Sequence, residues 1–250
     1  MKKIKVGIVN YLNTAPLIYG LKNSPVIDEI ELIPDYPANL AKDLLEGSID
    51  VGLVPVSVIP QLNQWWLMSD YCIGCEGPVA SVCIFSDVPI EKVERVLLDY
   101  QSRTSVELAK LLIKEYWKLD AELVDATEDF QKDIKGTTAG LVIGDRSFGQ
   151  RKVSKYAYDL GDAWKSFTGL PFVFAAWISN KPLDASFIKL FNDANAYGVN
   201  NVSKVIASLN FNGSVDLEEY FKKYISYNLD EEKRRALRKF LQYLKKDINV

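Results

Sequence analysis

Short apolar segments that alternate with a helical pattern place the tightest limits on the fold of this chain. Residues 3–9 (KIKVGIV) and 50–54 (DVGLV) are rich in β-branched side chains, which is typical of strands buried on both faces. A further strand is predicted near residues 30–33, and residues 38–46 have apolar side chains at helical spacing before Gly47. The order strand–helix–strand–helix–strand predicts a parallel sheet with right-handed crossovers.

A second α/β series begins near residue 93. Residues 93–99, 121–124 and 139–143 predict strands, and residues 106–118 predict a helix. Apolar segments around residues 79–86 and before Asn180 predict strands that leave the first sheet and return to it. We therefore predict an α/β fold with two lobes, 1–85 plus 176–250 and 86–175, joined by two crossing strands. This is the periplasmic-binding-protein-like (type II) fold, in which hinge closure of an inter-lobe cleft encloses a small ligand.

The composition argues against several classes of partner. The 250 residues are 48% hydrophobic with a net charge of −3, which allows a large core but gives no basic surface for nucleic acid. No apolar run is long enough to span a membrane, and the run after the two N-terminal lysines is too short for a secretory signal. We expect a cytoplasmic monomer or homodimer that binds a small molecule, and neither nucleic acid nor a membrane.

The chain contains no histidine. The commonest general base, the commonest metal ligand and every Ser-His or Cys-His pair are therefore excluded. Catalysis would have to use carboxylates, lysine, tyrosine, hydroxyls, amides or a group of the substrate.

The cysteines do not form a recognisable metal or redox motif. Cys72 and Cys75 form a CxxC, but structural zinc needs four ligands and no second pair exists. A thioredoxin-like site would lie at a helix start, whereas the glycines here predict a turn that leads into a strand. We predict that these two and Cys83 are unpaired and reduced. No phosphate loop, dinucleotide fingerprint or acidic metal cluster occurs, so we predict no metal and no cofactor.

Two carboxamides and a hydroxyl follow the first predicted strand, at Asn10, Asn13 and Thr14. Open α/β sheets bind ligands beyond the carboxyl ends of their strands, and an amide brings donors and an acceptor there without charge. Alternatively, Asn13 or Thr14 caps a helix that starts at Ala15. Capping and ligand contact are physically compatible.

Polar residues also follow strands of the second series. Residues 102–105 precede a predicted helix, where backbone N–H groups and hydroxyls bind anions and an arginine can clamp a carboxylate. The candidates are Ser102, Arg103, Thr104 and Ser105. The alternative is that Ser102 or Thr104 only caps the helix. After the strand that ends at Ile143, Gly144 and Asp145 offer a ligand contact, a base or the cap of a short helix.

Five motifs, in this order, are similar to those of the MqnA/MqnD menaquinone-biosynthesis family. They are VNYLNTAP at 9–16, LxGxxDVxLxP at 45–55, Gly77-Pro78, SRTS at 102–105, and DLGxxWxxxTGLPF at 159–172. The match to the family extends from residue 5 to about residue 180, with a weaker match of the helical pattern to the end. The chain resembles the chorismate dehydratase branch more closely, because the sister branch has a histidine where this chain has Gly144.

The resemblance implies a carbon–oxygen lyase that dehydrates chorismate to 3-[(1-carboxyvinyl)oxy]benzoate, the first step of the futalosine route to menaquinone. The family's catalytic asparagine and serine fall on Asn13 and Ser81. By this resemblance, Thr104 and Ser105 would hold a substrate carboxylate and Ser57 would line the opposite wall, while a substrate carboxylate would act as the base. Two alternatives stay open, a non-catalytic solute-binding protein and the sister enzyme that acts on cyclic dehypoxanthine futalosine.

Overall fold

The computed structural model describes residues 3–213 and 215–247 and forms two β-sheets flanked by helices. The strands are β1 (Ile4–Ile8), β2 (Ile30–Pro34), β3 (Val51–Pro55), β4 (Trp66–Cys75), β5 (Val82–Ser86), β6 (Arg95–Leu98), β7 (Glu122–Asp125), β8 (Thr138–Ile143), β9 (Tyr156–Asp159), β10 (Phe172–Ser179) and β11 (Ser226–Asn228). The helices are α1 (Ala15–Lys22), α2 (Pro37–Glu46), α3 (Thr104–Leu111), α4 (Arg146–Val153), α5 (Leu160–Thr168), α6 (Ala185–Asn200), α7 (Val202–Ser208), α8 (Leu217–Glu219) and α9 (Glu231–Asp247). The mixed α/β class predicted from the sequence is confirmed.

The first sheet has the strand order β11-β4-β10-β3-β1-β2. Strand β1 pairs in parallel with β2 and β3, as the alternating pattern predicts. Strand β10 enters antiparallel between β3 and β4, so a late segment of the chain completes the middle of the sheet. The carboxyl ends of β1 and β3 therefore lie at one edge, where ligand sites form in such sheets.

The second sheet has the order β7-β6-β8-β5-β9. Strand β6 is parallel to β7 and β8, whereas β5 runs antiparallel to β8 and β9. A continuous hydrophobic core extends from the first sheet into the second, and a smaller cluster around Phe85 and Phe130 also packs in the second sheet. Across the described ranges, no helix has the length and apolar character needed to cross a membrane.

Strand membership suggests a refinement of the predicted lobe boundaries. The boundaries after residues 85 and 175 fall inside β5 and β10, and each of these strands pairs within a single sheet. We propose instead that the chain changes lobe between Cys75 and Val82 and again between Asp159 and Phe172. The two connections are then a loop and a segment containing α5, rather than two strands.

The prediction of a turn around the CxxC is wrong, because Cys72 and Cys75 lie in β4, inside the first sheet. Gly74 occurs in this strand because the main chain approaches closely there, and a Cβ on it would lie 2.7 Å from the Phe172 carbonyl oxygen. All three cysteine thiols are free and buried. Burial raises the pKa of the Cys72 thiol to about 12, so it is protonated and unreactive at neutral pH.

Candidate functional site

A cavity lies between the two sheets and takes its walls from both. The enclosed space there is about 80 Å³, which is smaller than most sites for small organic molecules. On the side of the first sheet, this central cavity is lined by apolar groups and by Asn13. On the side of the second sheet, it is lined by Ser81, Ser105 and Gly144. Two polar turns that are far apart in the sequence thus meet at one cavity.

Asn13 lies in the tight turn Leu12–Thr14 that joins β1 to α1. Its Oδ1 atom is buried and has no hydrogen-bond partner. The Thr14 hydroxyl donates backwards, to the carbonyls of Val9 at 2.6 Å and Tyr11 at 2.7 Å, and no side chain caps α1. The alternative of a side-chain helix cap is therefore wrong, and the amide oxygen of Asn13 is left available to a ligand in the cavity.

Ser81 is buried just before β5 and lines the same cavity. Its Oγ accepts a hydrogen bond of 2.8 Å from the hydroxyl of Tyr220. The protein acceptor near Ser81 Oγ is the Val79 carbonyl, which is 3.4 Å away. Because Tyr220 supplies a strong donor and Val79 only a weak acceptor, the Ser81 proton is free to point at a ligand.

Two buried tyrosines near the C-terminal end support this pair of residues. The Tyr227 hydroxyl donates to the Asn13 carbonyl across 2.9 Å, and Tyr220 contacts Ser81 as described. Burial raises the pKa of each hydroxyl well above its ordinary value, so both stay protonated donors. The sequence did not predict either residue, since they lie 139 and 214 positions from their partners and no local pattern indicates such contacts.

The predicted anion-binding residues do not all line one cavity. Ser105 lines the central cavity, whereas Ser57, Ser102 and Arg103 line a wider cleft beside α3. The Ser102 hydroxyl accepts from the Ser105 N–H at 3.1 Å, as expected of a helix cap. The structure therefore does not bring the Arg103 side chain to the cavity that Asn13 and Ser81 line.

Ser57 and Thr104 bind each other across the lobes. The Ser57 N–H donates to Thr104 Oγ1 at 3.2 Å, and the two hydroxyls lie 3.3 Å apart. Neither residue is among the described lining of the central cavity. In this state they hold the two sides together instead of facing the space for a ligand.

Gly144 and Asp145, adjacent in sequence, face different regions. Gly144 lines the central cavity, but Asp145 lies in an outer groove beside Asn10 and Tyr11. Its carboxylate accepts a hydrogen bond from the backbone of Leu12. This bond links the end of β8, in the second sheet, to the turn Leu12–Thr14. No side-chain cap of α4 by Asp145 is present.

The central cavity has an uncharged lining. Among the described residues that form its wall, Tyr11 is the one titratable side chain, and burial raises its pKa to about 12. Its hydroxyl donates to Gln101 Oε1 on the opposite side, at 3.3 Å. Residues 3–213 and 215–247 contain no group of three or more Cys, Asp or Glu placed to hold a metal ion. The wall offers neutral donors and acceptors but no base at neutral pH.

A family profile described as "Menaquinone biosynthesis" matches residues 4–246. The chain belongs to this menaquinone-biosynthesis family. Two relatives in the comparison carry the name chorismate dehydratase. One, from Thermus thermophilus, is 26% identical and the alignment covers 98% of this chain and 96% of the relative. The other, from Campylobacter jejuni, is 27% identical, with 96% of each chain covered.

Solved structures show that this member of the menaquinone-biosynthesis family has the predicted fold. A protein of Archaeoglobus fulgidus superposes with a TM-score of 0.77 at 17% identity, covering 99% of this chain and 98% of its own. The periplasmic aliphatic sulphonate binding protein of Escherichia coli gives a TM-score of 0.60 at 13% identity, covering 100% and 89%. The periplasmic-binding-protein-like fold predicted from the sequence is confirmed.

Proposed function

We propose that the protein is a chorismate dehydratase that forms 3-[(1-carboxyvinyl)oxy]benzoate and water, and so acts at the first step of the futalosine route. The names of both relatives support this reaction. The observation that carries the proposal is the central cavity, where an unpartnered Asn13 amide oxygen on one side and the Ser81 hydroxyl on the other face a space whose described lining holds no base at neutral pH.

The chemistry of the reaction suits such a lining. The C–H bond at the ring carbon bearing the enolpyruvyl ether breaks, its electron pair forms the ring double bond, and the C–O bond of the adjacent hydroxyl breaks. The proton and the hydroxide together make the water. Since the ring becomes aromatic, the step is strongly downhill and needs modest assistance.

The roles of the two residues follow from their hydrogen-bonding capacity. Asn13 orients the substrate or polarises the leaving hydroxyl through its amide, and Ser81 donates to a substrate carboxylate. A carboxylate of the substrate accepts the ring proton, because no side chain in the described lining is a base at neutral pH. Exclusion of water by closed lobes would strengthen each of these hydrogen bonds.

The test is to incubate the purified protein with chorismate and to follow loss of one water by mass spectrometry. We expect the Asn13→Ala and Ser81→Ala variants to lose turnover with unchanged circular dichroism. Ser24→Ala is the matched control, since the Ser24 hydroxyl is another buried group without a partner and does not line the cavity. Binding of intact chorismate without turnover would instead indicate a solute-binding protein. Turnover of cyclic dehypoxanthine futalosine alone would indicate the sister enzyme.

A further inference from the structure

Ser81 ends a strained three-residue turn. Its N–H donates to the Val79 carbonyl across 2.8 Å, and Ala80 between them has φ = 64°. A γ-turn with positive φ is rare, and left-handed backbone is unfavourable for any residue with a Cβ. Such strain persists only where the surrounding structure holds it in place.

The Asp159 and Arg151 side chains hold the two sides of the Ala80 peptide. The Asp159 carboxylate accepts from the N–H groups of Val79 at 3.0 Å and of Ala80 at 2.7 Å. Arg151 donates through Nη2 to the Ala80 carbonyl across 3.2 Å. The strained residue is therefore bound at both its N–H and its carbonyl.

The same carboxylate also starts the return from the second sheet to the first. Asp159 ends β9 and caps α5 by accepting from the N–H groups of Gly161 at 2.9 Å and Asp162 at 3.2 Å. The start of α5 lies directly on the outgoing connection, since a Cβ on Gly161 would be 2.3 Å from the Gly77 carbonyl oxygen. One side chain thus ties the returning connection to the turn that ends at Ser81.

We propose that Asp159 is a positioning residue, whose carboxylate holds residues 79–81 in the conformation that presents the Ser81 hydroxyl to the cavity. This inference rests on the proposed function of Ser81. Asp159 is not among the described residues that line the cavity, so it acts through the turn rather than on the substrate. A carboxylate that only capped α5 would leave the turn unaffected when replaced.

The first test is the kinetic comparison of Asp159→Asn with Asp184→Asn. The side chain of Asp159→Asn keeps one acceptor oxygen and sets its NH2 group against N–H groups that the carboxylate had bound, so it cannot hold both the turn and the start of α5; the turn relaxes and Ser81 moves. A displacement of about 1 Å costs about 10²-fold in rate, and we expect such a loss in kcat with little change in KM. Asp184 also caps a helix, accepting from the Ser186 N–H at 2.8 Å, but it does not line the cavity. Asp184→Asn should keep the wild-type kcat.

The second test is rescue by glycine. Glycine adopts positive φ readily, so Ala80→Gly lowers the strain that Asp159 holds in place. Adding Ala80→Gly to Asp159→Asn should raise kcat by about 5–30-fold, the ratio that 1–2 kcal/mol represents. A kcat loss that Ala80→Gly does not relieve would overturn the proposal.

Amide hydrogen exchange separates this inference from the proposed function, because it needs no substrate. Exchange at residues 79 and 80 should quicken in Asp159→Asn and not in Asp184→Asn. If the wild type leaves chorismate unchanged, the proposed function fails, and the exchange comparison still decides the structural part. Wild-type kcat together with unchanged exchange in Asp159→Asn would overturn the inference. If Asp159→Asn does not fold, Arg151→Met replaces it, because exposed Arg151 holds the carbonyl of the same strained residue. Arg151→Met should lower kcat and quicken exchange at residues 79 and 80, both by less than Asp159→Asn. Wild-type kcat and unchanged exchange in Arg151→Met would then overturn the inference.

Discussion

At the scale of single residues, the side-chain oxygen of Asn13 is available to a ligand and has no hydrogen-bond partner within the protein. A buried polar atom without a hydrogen bond costs about 1–3 kcal/mol, and Asn13 Oδ1 is such an atom. A ligand that donates to this oxygen recovers the cost. Residues of this kind lower stability in the free protein while serving function.

Replacing Asn13 with leucine should therefore separate stability from activity. Asn13→Leu removes the unpartnered amide at similar volume, so the free energy of unfolding should stay equal or rise by about 1 kcal/mol while turnover is lost. Ser24→Ala should show the same stability change with full activity. Urea unfolding and the mass-spectrometric assay measure the two quantities. A clear loss of stability in Asn13→Leu would contradict the view that the amide is unpartnered in the free protein.

Tyr220 makes a second prediction at this scale. Tyr220→Phe removes the hydroxyl that donates to Ser81 and keeps the ring, which packs edge-on against Phe148 with centroids 5.3 Å apart. A neutral hydrogen bond is worth about 0.5–1.5 kcal/mol, so kcat should fall by about 2–13-fold. Tyr158→Phe is the control, because the Tyr158 hydroxyl accepts from the Ile90 N–H and does not line the cavity. Equal kcat losses in both variants would show a general effect of losing a tyrosine hydroxyl.

At the scale of helices and strands, local sequence predicted the elements whose pattern is complete within one segment. The strands β1 to β3 and the helix α2 follow from apolar spacing alone. The strand β4 was missed because Gly74 suggested a turn. In the structure the glycine is needed because the Phe172 main chain, 98 residues later in the sequence, packs closely against it. The turn that ends at Ser81 is likewise hydrogen-bonded to Asp159, a residue that the local sequence pattern indicates only as a helix cap.

The start of α3 carries a prediction of its own. The resemblance implied that Thr104 holds a substrate carboxylate, but in the structure its hydroxyl is bound to Ser57. Thr104→Val keeps the volume and removes these bonds, which should weaken closure and raise KM by up to about tenfold with kcat little changed. Ser105 lines the cavity, so Ser105→Ala should lower kcat/KM by a larger factor than Thr104→Val does. A loss of kcat larger in Thr104→Val than in Ser105→Ala would mean that Thr104 reaches the substrate after a rearrangement.

At the scale of the whole molecule, the candidate site exists only where the two sheets meet. The two proposed catalytic residues lie on opposite sides, and each is supported by a tyrosine from the C-terminal third of the chain. Further bonds cross the cleft between Tyr11 and Gln101 and between Ser57 and Thr104. A sequence motif can indicate each side, but only the folded chain shows which hydroxyls meet and which face outwards.

A ligand held by both sides should stabilise both of them together. Chorismate bound to the inactive Ser81→Ala variant at a hundred times its Kd should add about 2.7 kcal/mol to the free energy of unfolding. For a chain of this size, that corresponds to a rise of roughly 5–10 °C in Tm. Calorimetry should show one transition that moves as a unit, because the cavity wall contains residues from both sheets. Two transitions of which only one moves would place the ligand on a single side, and would argue against the cavity between the sheets as the site of the reaction.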